Sequence, residues 1–186
     1  MVDLNNNNMN NDNNNESKNI LEDIQHELEI KDRLHQKKEF DLALEGYNNI
    51  KSLLSRRDDL LLSTNSFSSF WSRAFDKFDV SLKILPRKDK KLDLSWLKSF
   101  KVEFRDNYKS VVRMELFPNE YVKNEILEKE LGVYENEVER SKVEWKGEER
   151  SLIFQFFDSD ESEFEMFDFL YEIYKNGIFY YLLEDE

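Results

Sequence analysis

The sequence contains no cysteine and, among its 186 residues, only two prolines and four glycines. Without cysteine the chain can form neither a disulfide nor a thiolate zinc site, which is typical of a reducing, intracellular compartment. The low glycine and proline content excludes a collagen-like or linker-like chain. No apolar run approaches the roughly 20 residues that cross a bilayer, and the asparagine-rich start is no signal peptide. We therefore expect a globular protein without a membrane partner.

Motifs of familiar catalytic chemistry are missing as well. The sequence has neither of the two glycine-rich phosphate loops and no Gly-x-Ser-x-Gly elbow. His26-Glu27 could open a zinc-peptidase motif, but its second histidine would have to stand at position 30, which is Ile30. We expect no catalytic residue, no metal site and no cofactor, so the chain is predicted not to be an enzyme.

Aromatic and acidic residues are plentiful. The 15 phenylalanines, 8 tyrosines and 3 tryptophans can support a core and so exclude full disorder. The 40 acids exceed the 27 bases by 13, and residues 118–186 alone carry 20 acids against 7 bases. This excess is either a solvated face that keeps the protein soluble or a docking surface for a strongly basic protein. It argues against tight binding to DNA.

The first third of the chain predicts a tail and a long helix. Residues 1–19 hold ten asparagines and are predicted to be disordered. Asn19 is a candidate N-cap for a helix over residues 20–64, where apolar residues recur at helical spacing. Such a helix of about 45 residues would be about 65 Å long, more than the width of a domain of about 120 residues.

The apolar stripe of this helix therefore predicts a partner. The simplest arrangement is a homodimer in which two copies of the helix pair. The predicted dimer interface consists of Leu28, Phe40, Tyr47, Ile50, Leu54 and Leu61. The alternatives are burial of these side chains against the protein's own sheet, or a helical hairpin broken near Gly46.

Residues 65–186 are predicted to form one α+β domain. A short helix over Ser69–Phe78 and a second one around Leu92–Leu97 precede four antiparallel strands. The strands are predicted at 100–104, 112–116, 126–133 and 142–146, where apolar and polar residues alternate. After Gly147 the spacing becomes helical again, with one apolar face formed by Phe164, Phe167, Leu170, Tyr171 and Tyr174. Eight side chains are predicted core: Phe70, Trp71, Phe104, Leu116, Trp145, Phe156, Phe157 and Tyr181.

The stretch from Leu116 to Lys129 resembles the strand–turn–strand signature of the nucleosome assembly protein / SET family of histone chaperones. Five of its residues stand where that signature expects them, namely Asn119, Tyr121, Asn124, Leu127 and Lys129. Four more blocks match in the family's order: Arg56-Arg57 leading to Phe70-Trp71, then residues 143–146, 151–157 and 178–182. The compact build resembles the SET-like branch.

The resemblance implies a fold and a function. The fold would be a long N-terminal dimerisation helix followed by an earmuff domain, in which helices back a four-stranded antiparallel sheet. The protein would be an ATP-independent, homodimeric histone chaperone that binds either or both core-histone pairs on an acidic surface and promotes nucleosome assembly and disassembly. Its expected location is the nucleus, with shuttling to the cytoplasm left open. The alternative within the same fold is a SET-like phosphatase inhibitor or an acidic escort for other basic proteins.

The resemblance also places the histone-binding acids after the Phe-Phe box and at the start of the last helix. The predicted contacts are Asp158, Asp160, Glu161, Glu163, Glu165 and Asp168. Acids in a first helical turn also stabilise the helix dipole, so each has a structural alternative. The basic stretch Arg87–Lys91 is a candidate nuclear import signal, a DNA contact or a solvated loop.

Overall fold

The computed structural model describes residues 6–64, 69–78, 84–88, 91–133, 138–148, 150–161 and 163–183, with the backbone alone at 6–16, 87 and 91. The helices are α1 (Asn6–Ser63), α2 (Phe70–Asp76), α3 (Leu152–Asp158) and α4 (Phe164–Leu182). The strands are β1 (Arg87–Lys88), β2 (Lys91–Leu92), β3 (Leu97–Arg105), β4 (Lys109–Leu116), β5 (Ile126–Gly132) and β6 (Val138–Arg140). Among the described residues no helix combines the length and the apolar character that crossing a membrane requires.

The order of these elements confirms the predicted α+β class, with a long first helix and a four-stranded antiparallel sheet. Contacts divide the chain into two units, Met1–Asp41 and Leu42–Glu186. The first unit is described only as part of α1, and the second holds the sheet and the three later helices. The sequence predicted a boundary between the long helix and the α+β domain at residues 64 and 65. The division by contacts falls between residues 41 and 42 and does not test that boundary, which stays a prediction.

Helix α1 begins earlier than the sequence suggested. It starts at Asn6, so the predicted disordered tail and the predicted N-cap at Asn19 are wrong for residues 6–19, while residues 1–5 lie outside the described residues. Asparagine is a mediocre helix former but no helix breaker, and no proline or glycine interrupts this stretch. Nothing in the local sequence therefore stops the helix at Asn19.

The main sheet has the strand order β3-β4-β5-β6, and every pairing is antiparallel. The alternation predicted for the first three strands is confirmed: along β3, Phe100, Val102 and Phe104 are buried. In the turn between β3 and β4, Asn107 and Tyr108 have φ of 66° and 60°. These left-handed conformations suit a tight hairpin turn.

The fourth strand and one short helix were predicted wrongly. The strand β6 is Val138–Arg140, and residues 142–146 contribute only an isolated bridge between Trp145 and Val122. Asn124 holds that segment instead, since its side chain accepts from the Glu144 N–H at 2.7 Å. The predicted helix around Leu92–Leu97 is a turn between two strands, in which the Asp93 carboxylate accepts the Ser95 N–H at 3.0 Å.

Aromatic rings fill the space between the sheet and the helices. Trp71 and Phe75 of α2 lie on Phe100 of β3, with ring centroids 5.2 and 5.6 Å apart. Phe104 of β3 meets Phe167 of α4 edge to face at 5.3 Å. Of the eight predicted core side chains, six are buried and two, Trp145 and Tyr181, are half-buried.

The dimer-interface prediction needs correction along α1. Phe40, Tyr47 and Leu54 are only 6, 1 and 7 % exposed within the single chain, and the Tyr47 ring contacts Phe104 of β3 at 5.8 Å. These three side chains are therefore not available to a second copy. Helical spacing identifies residues that share a face but not the surface that covers them. Here the protein's own sheet covers Tyr47, whereas the interface assignment of Leu28, Ile50 and Leu61 stays a prediction. Three predicted residues keep exposed surface: Leu28, Ile50 and Leu61.

Candidate functional site

The six predicted histone contacts lie at the junction of α3 and α4, and we call them the acidic segment. Asp158 is the last residue of α3, Asp160 and Glu161 lie in the connection, and Glu163 immediately precedes α4. Glu165 stands in the first turn of α4, where a carboxylate favours the helix dipole, and Asp168 follows it. The structure thus brings all six together, but their surroundings differ.

Asp158 has a structural role, because its carboxylate bonds to three groups in and after β6. Its Oδ2 accepts the Trp145 indole N–H at 3.0 Å, and its Oδ1 lies 3.4 Å from the Arg140 Nη1. The Val143 N–H also points at this oxygen, at 3.4 Å. Asp158 therefore ties the end of β6 and the following segment to the end of α3.

Asp160 is exposed and paired. The Arg140 Nε donates to its Oδ1 at 2.7 Å, while the Asp160 side chain stays 85 % exposed. The hydrogen bond with Arg140 lowers the pKa of Asp160, and the same bond raises the pKa of Arg140. Asp160 is thus anionic at neutral pH, but one cation of its own chain already faces it.

Three carboxylates of the acidic segment face solvent. Glu161, Glu165 and Asp168 are exposed, and none of them forms an ion pair within the part of the chain that the structure describes. Glu163 is half-buried at the start of α4. The unneutralised charge of the segment is therefore carried mainly by Glu161, Glu165 and Asp168.

A buried lysine, which the sequence reasoning did not single out for this role, supports the site. Lys129 of β5 is 0 % exposed, and its Nζ donates to the Phe156 carbonyl of α3 at 2.7 Å. The ammonium also lies 4.5 Å from the centre of the Phe156 ring. Burial lowers the pKa of Lys129. A cation on a late carbonyl of a helix stabilises its C-terminus, so Lys129 fixes the end of α3 from which the acidic segment continues.

The sequence could have signalled this role. Lys129 stands between Leu127 and Leu131 on the core-facing side of an alternating strand, and all three are fully buried. A lysine at such a position needs an acceptor inside the protein.

The residues of the strand–turn–strand signature between positions 119 and 124 have a structural role. The Asn119 Oδ1 accepts the N–H groups of Tyr121 and Val122, both at 2.9 Å. The Tyr121 hydroxyl donates to Asp93 at 2.8 Å, and the Asn124 Nδ2 donates to the Lys142 carbonyl at 2.9 Å. These residues close turns and join segments, and so they position the site without belonging to it.

The outer face of the sheet is a lattice of paired charges. Glu130 of β5 binds the Lys109 Nζ at 2.5 Å and the Arg105 Nη1 at 3.0 Å. Glu128 binds the Arg113 Nη1 at 3.0 Å. The bases of β3 and β4 thus neutralise acids of β5, which leaves the exposed negative charge elsewhere. In the described residues no group of histidine, aspartate and glutamate could hold a metal ion.

Comparisons with known proteins agree with this geometry. No family model matches the chain. An uncharacterized protein of Encephalitozoon cuniculi (strain GB-M1) is 34 % identical over 165 residues, which cover 88 % of this chain and 92 % of that protein. A nucleosome assembly protein from Plasmodium falciparum has a similar structure, with a TM-score of 0.53, 18 % identity, and coverage of 92 % of this chain and 97 % of that one. Nucleosome Assembly Protein 1 from Plasmodium knowlesi is also similar in structure. Its TM-score is 0.55 at 16 % identity, and the match covers 92 % of this chain and 97 % of that one. At such identities the structural likeness concerns the fold.

Proposed function

Because this chain belongs to one family with the uncharacterized Encephalitozoon cuniculi protein and has the nucleosome assembly protein / SET fold, we propose that it is a histone chaperone. It binds core histones, uses neither ATP nor a catalytic residue, and promotes nucleosome assembly and disassembly. The observation that carries this proposal is the acidic segment, which presents three unpaired carboxylates on a fold shared with proteins named for nucleosome assembly. We also propose the nucleus as its location, because nucleosomes are assembled there.

The mechanism is competition between anions. Free histones are strongly basic and attach to DNA phosphates without sequence specificity. A protein that offers carboxylates competes for the same lysines and arginines. Each exposed ion pair contributes only about 0–1 kcal/mol, so affinity requires many pairs. Because the Debye length is about 8 Å at physiological salt, the complex weakens as salt rises.

The members of the acidic segment have different parts in this mechanism. Glu161, Glu165 and Asp168 meet histone cations directly, since no basic side chain of the described chain occupies them. Asp160 exchanges its exposed pairing with Arg140 for a histone cation. Asp158 keeps its bonds to Trp145 and Arg140 and holds the segment in place.

Charge reversal at the three solvent-facing acids tests the proposal. The triple variant Glu161→Lys/Glu165→Lys/Asp168→Lys is expected to lower histone affinity by at least about tenfold at low salt, because three attractions become three repulsions. Titration of each core-histone pair, followed by fluorescence anisotropy at two salt concentrations, measures this loss. Unchanged affinity would contradict the assignment of the site.

A matched control separates location from net charge. Glu125→Lys/Glu144→Lys/Glu148→Lys makes the same charge change at exposed positions of the same third of the chain. It should keep most of the affinity. If it weakens binding as much as the first triple variant does, the total charge and not the acidic segment binds histones. A protein that ignores both histone pairs would keep the fold and move the function to escorting other basic proteins.

Dimerisation is proposed through the exposed apolar residues of α1. Six of them follow one another at spacings of three, four, fourteen, eleven and seven residues, with exposures between 49 and 71 %: Leu21, Ile24, Leu28, Leu42, Leu53 and Leu60. Helical spacing places them close to one face, and a second copy of the helix would bury that face. The stripe differs from the predicted interface at every position except Leu28.

Light scattering coupled to size exclusion measures the oligomeric state. We expect the wild-type chain to be a dimer and Leu53→Lys/Leu60→Lys to be a folded monomer, because a buried ammonium pair would oppose association. The control Ile30→Lys/Leu62→Lys changes exposed residues on another side of α1 and should stay dimeric. A monomeric wild-type chain, or dissociation of both variants, would contradict the assigned stripe.

A further inference from the structure

A groove of about 420 Å³ lies between the end of α1 and strand β3, and we call it the edge groove. Its volume falls within the range of about 300–1,000 Å³ that is usual for ligand sites. We propose that the edge groove binds an extended segment of the histone cargo, which pairs with β3 as an added strand and inserts an apolar side chain. This inference rests on the proposed histone-chaperone function and adds to it a contact that does not depend on charge alone.

The free edge of β3 borders the groove. In the strand order β3-β4-β5-β6, β3 has a neighbour on one side only. Ser99, Phe100 and Lys101 are consecutive residues of β3, and all three line the groove. Successive side chains of a strand point to opposite faces of the sheet, so a groove that contacts all three includes the edge of the strand. Because β4 occupies the other edge, the groove includes the free one.

Main-chain groups along this edge are open to a partner. Half of the N–H and C=O groups of an edge strand point away from its neighbouring strand. Within the described residues, the main chain at positions 98–101 is paired only with β4. An extended peptide can add to such an edge through main-chain hydrogen bonds, while pockets beside the edge select its side chains.

Exposed apolar side chains from two parts of the fold line the groove. Leu62, near the end of α1, is 64 % exposed, and Phe117, directly after β4, is 50 % exposed. The groove also contacts the buried rings of Trp71 and Phe100. An apolar side chain that enters the groove therefore meets apolar surface and removes exposed Leu62 and Phe117 from water.

The charges of the groove favour a basic segment. Its bases are already paired with acids of the sheet: Lys98, Lys101 and Arg113. Asp58 is bound to Arg57 at 2.7 Å, whereas the exposed Asp59 forms no ion pair in the described part of the chain. The unneutralised charge beside the groove is thus negative, so a lysine or arginine next to the inserted apolar residue complements it.

The edge groove and the acidic segment lie at opposite edges of the main sheet. Asp158 of the acidic segment faces Arg140 of β6, and the groove borders β3. Three strand spacings of about 4.8 Å separate β3 from β6, a distance that one protein cargo can bridge. Simultaneous contact at both edges raises the affinity above that of either site alone.

Salt separates the two contributions to binding. Ion pairs between exposed charges weaken as salt rises, whereas apolar contacts and main-chain pairing depend on it much less. The variant Leu62→Gln/Phe117→Gln leaves the net charge unchanged. We expect it to lower the affinity for the core-histone pair that the wild-type chain binds by at least about tenfold at physiological salt, because two apolar contacts are lost. The slope of log K against log salt, measured by anisotropy, should stay that of the wild-type chain.

A matched control changes exposed apolar residues elsewhere. Leu152→Gln/Ile178→Gln alters side chains that are 48 and 51 % exposed and do not line the groove, so it should keep the wild-type affinity. Unchanged affinity of the groove variant, or an equal loss in both variants, would overturn the groove while histone binding itself stands. A wild-type chain that binds neither histone pair at any salt concentration would overturn the proposed function and the groove together.

Hydrogen exchange tests the added strand. In the complex of the full-length protein with the histone pair, at least one main-chain amide among positions 98–101 should exchange more slowly than in the free protein, because a new strand would accept its hydrogen. The same amides should keep their free exchange rates when the Leu62→Gln/Phe117→Gln variant is mixed with the histone pair at physiological salt. Unchanged exchange in the wild-type complex would overturn strand addition at β3.

Discussion

Replacing Arg57 by alanine is expected to lower the free energy of unfolding by about 3 kcal/mol or more, because removal of one partner of a buried ion pair leaves the other uncompensated. Arg57 is 6 % exposed. Its Nη2 donates to the Asp58 Oδ1 at 2.7 Å, and its Nη1 donates to the Tyr174 carbonyl. The Tyr174 hydroxyl closes the network by donating to the Asp58 Oδ2 at 2.6 Å.

Ring contacts add to this network. The Arg57 guanidinium lies 4.4 Å from the centre of the Tyr174 ring and 5.0 Å from that of Trp71. One side chain of α1 therefore joins α2 and α4, and its loss removes hydrogen bonds, stacking and charge compensation together. Burial raises the pKa of Tyr174, and the bond to Asp58 adds to that shift, so the hydroxyl remains a donor throughout the physiological range.

The neighbouring arginine provides the control. Arg56 is exposed, so Arg56→Ala is expected to change stability by no more than about 0.5 kcal/mol. Urea unfolding followed by circular dichroism measures both variants. Equal effects of the two substitutions would show that the Arg57 network contributes nothing to stability. In that case the burial of Arg57, in contrast to the exposure of Arg56, would reflect packing without a net gain in stability.

Alanine at the two helical glycines Gly46 and Gly177 is expected to act in opposite directions. A Cβ at position 177 would lie 2.9 Å from the Trp71 Cζ3 and 3.3 Å from the Phe70 Cε1, and both rings are buried. Overpacking of about 1–3 kcal/mol exceeds the gain of about 1 kcal/mol from helix propensity. Gly177→Ala should therefore lower the free energy of unfolding, by up to about 2 kcal/mol.

Gly46→Ala should raise the free energy of unfolding by up to about 1 kcal/mol. No atom lies within 4 Å of the position that its Cβ would take, so only the helix propensity and the lost freedom of the unfolded chain change. Urea unfolding of the two variants gives the sign directly. Destabilisation by Gly46→Ala would contradict the open space beside α1, and stabilisation by Gly177→Ala would contradict the close packing at α4.

The comparison of strands shows what alternation can and cannot predict. Phe100, Val102 and Phe104 alternate with charged residues, and the strand they predicted is present as β3. Val143 and Trp145 alternate as well, but their segment is held by Asn124 and by one bridge instead of a ladder. Period-two burial requires only an extended chain beside a core, so it does not distinguish a strand in a ladder from an extended segment that forms a single bridge.

At the candidate site, the sequence likewise predicts where acidic residues concentrate but not which of them are paired with a base. The sequence showed that acids concentrate after the Phe-Phe box, and the structure places them together. Which of them are neutralised depends on Arg140, which lies 18 residues before Asp158 in the chain. Ion pairing is decided by distances of a few ångströms between residues remote in sequence, and composition carries no such distances.

The sequence by itself determined the α+β class, the long first helix, most strands of the sheet, the acidic excess and the lack of familiar catalytic motifs. These follow from local periodicity and composition, which are properties of neighbouring residues. Only the tertiary structure decided that Tyr47 and Leu54 face the protein's own chain, that Lys129 fixes the end of α3, and that Glu161, Glu165 and Asp168 remain unpaired. Each of these depends on which surfaces meet after folding, and helical or strand spacing specifies a face without specifying its partner.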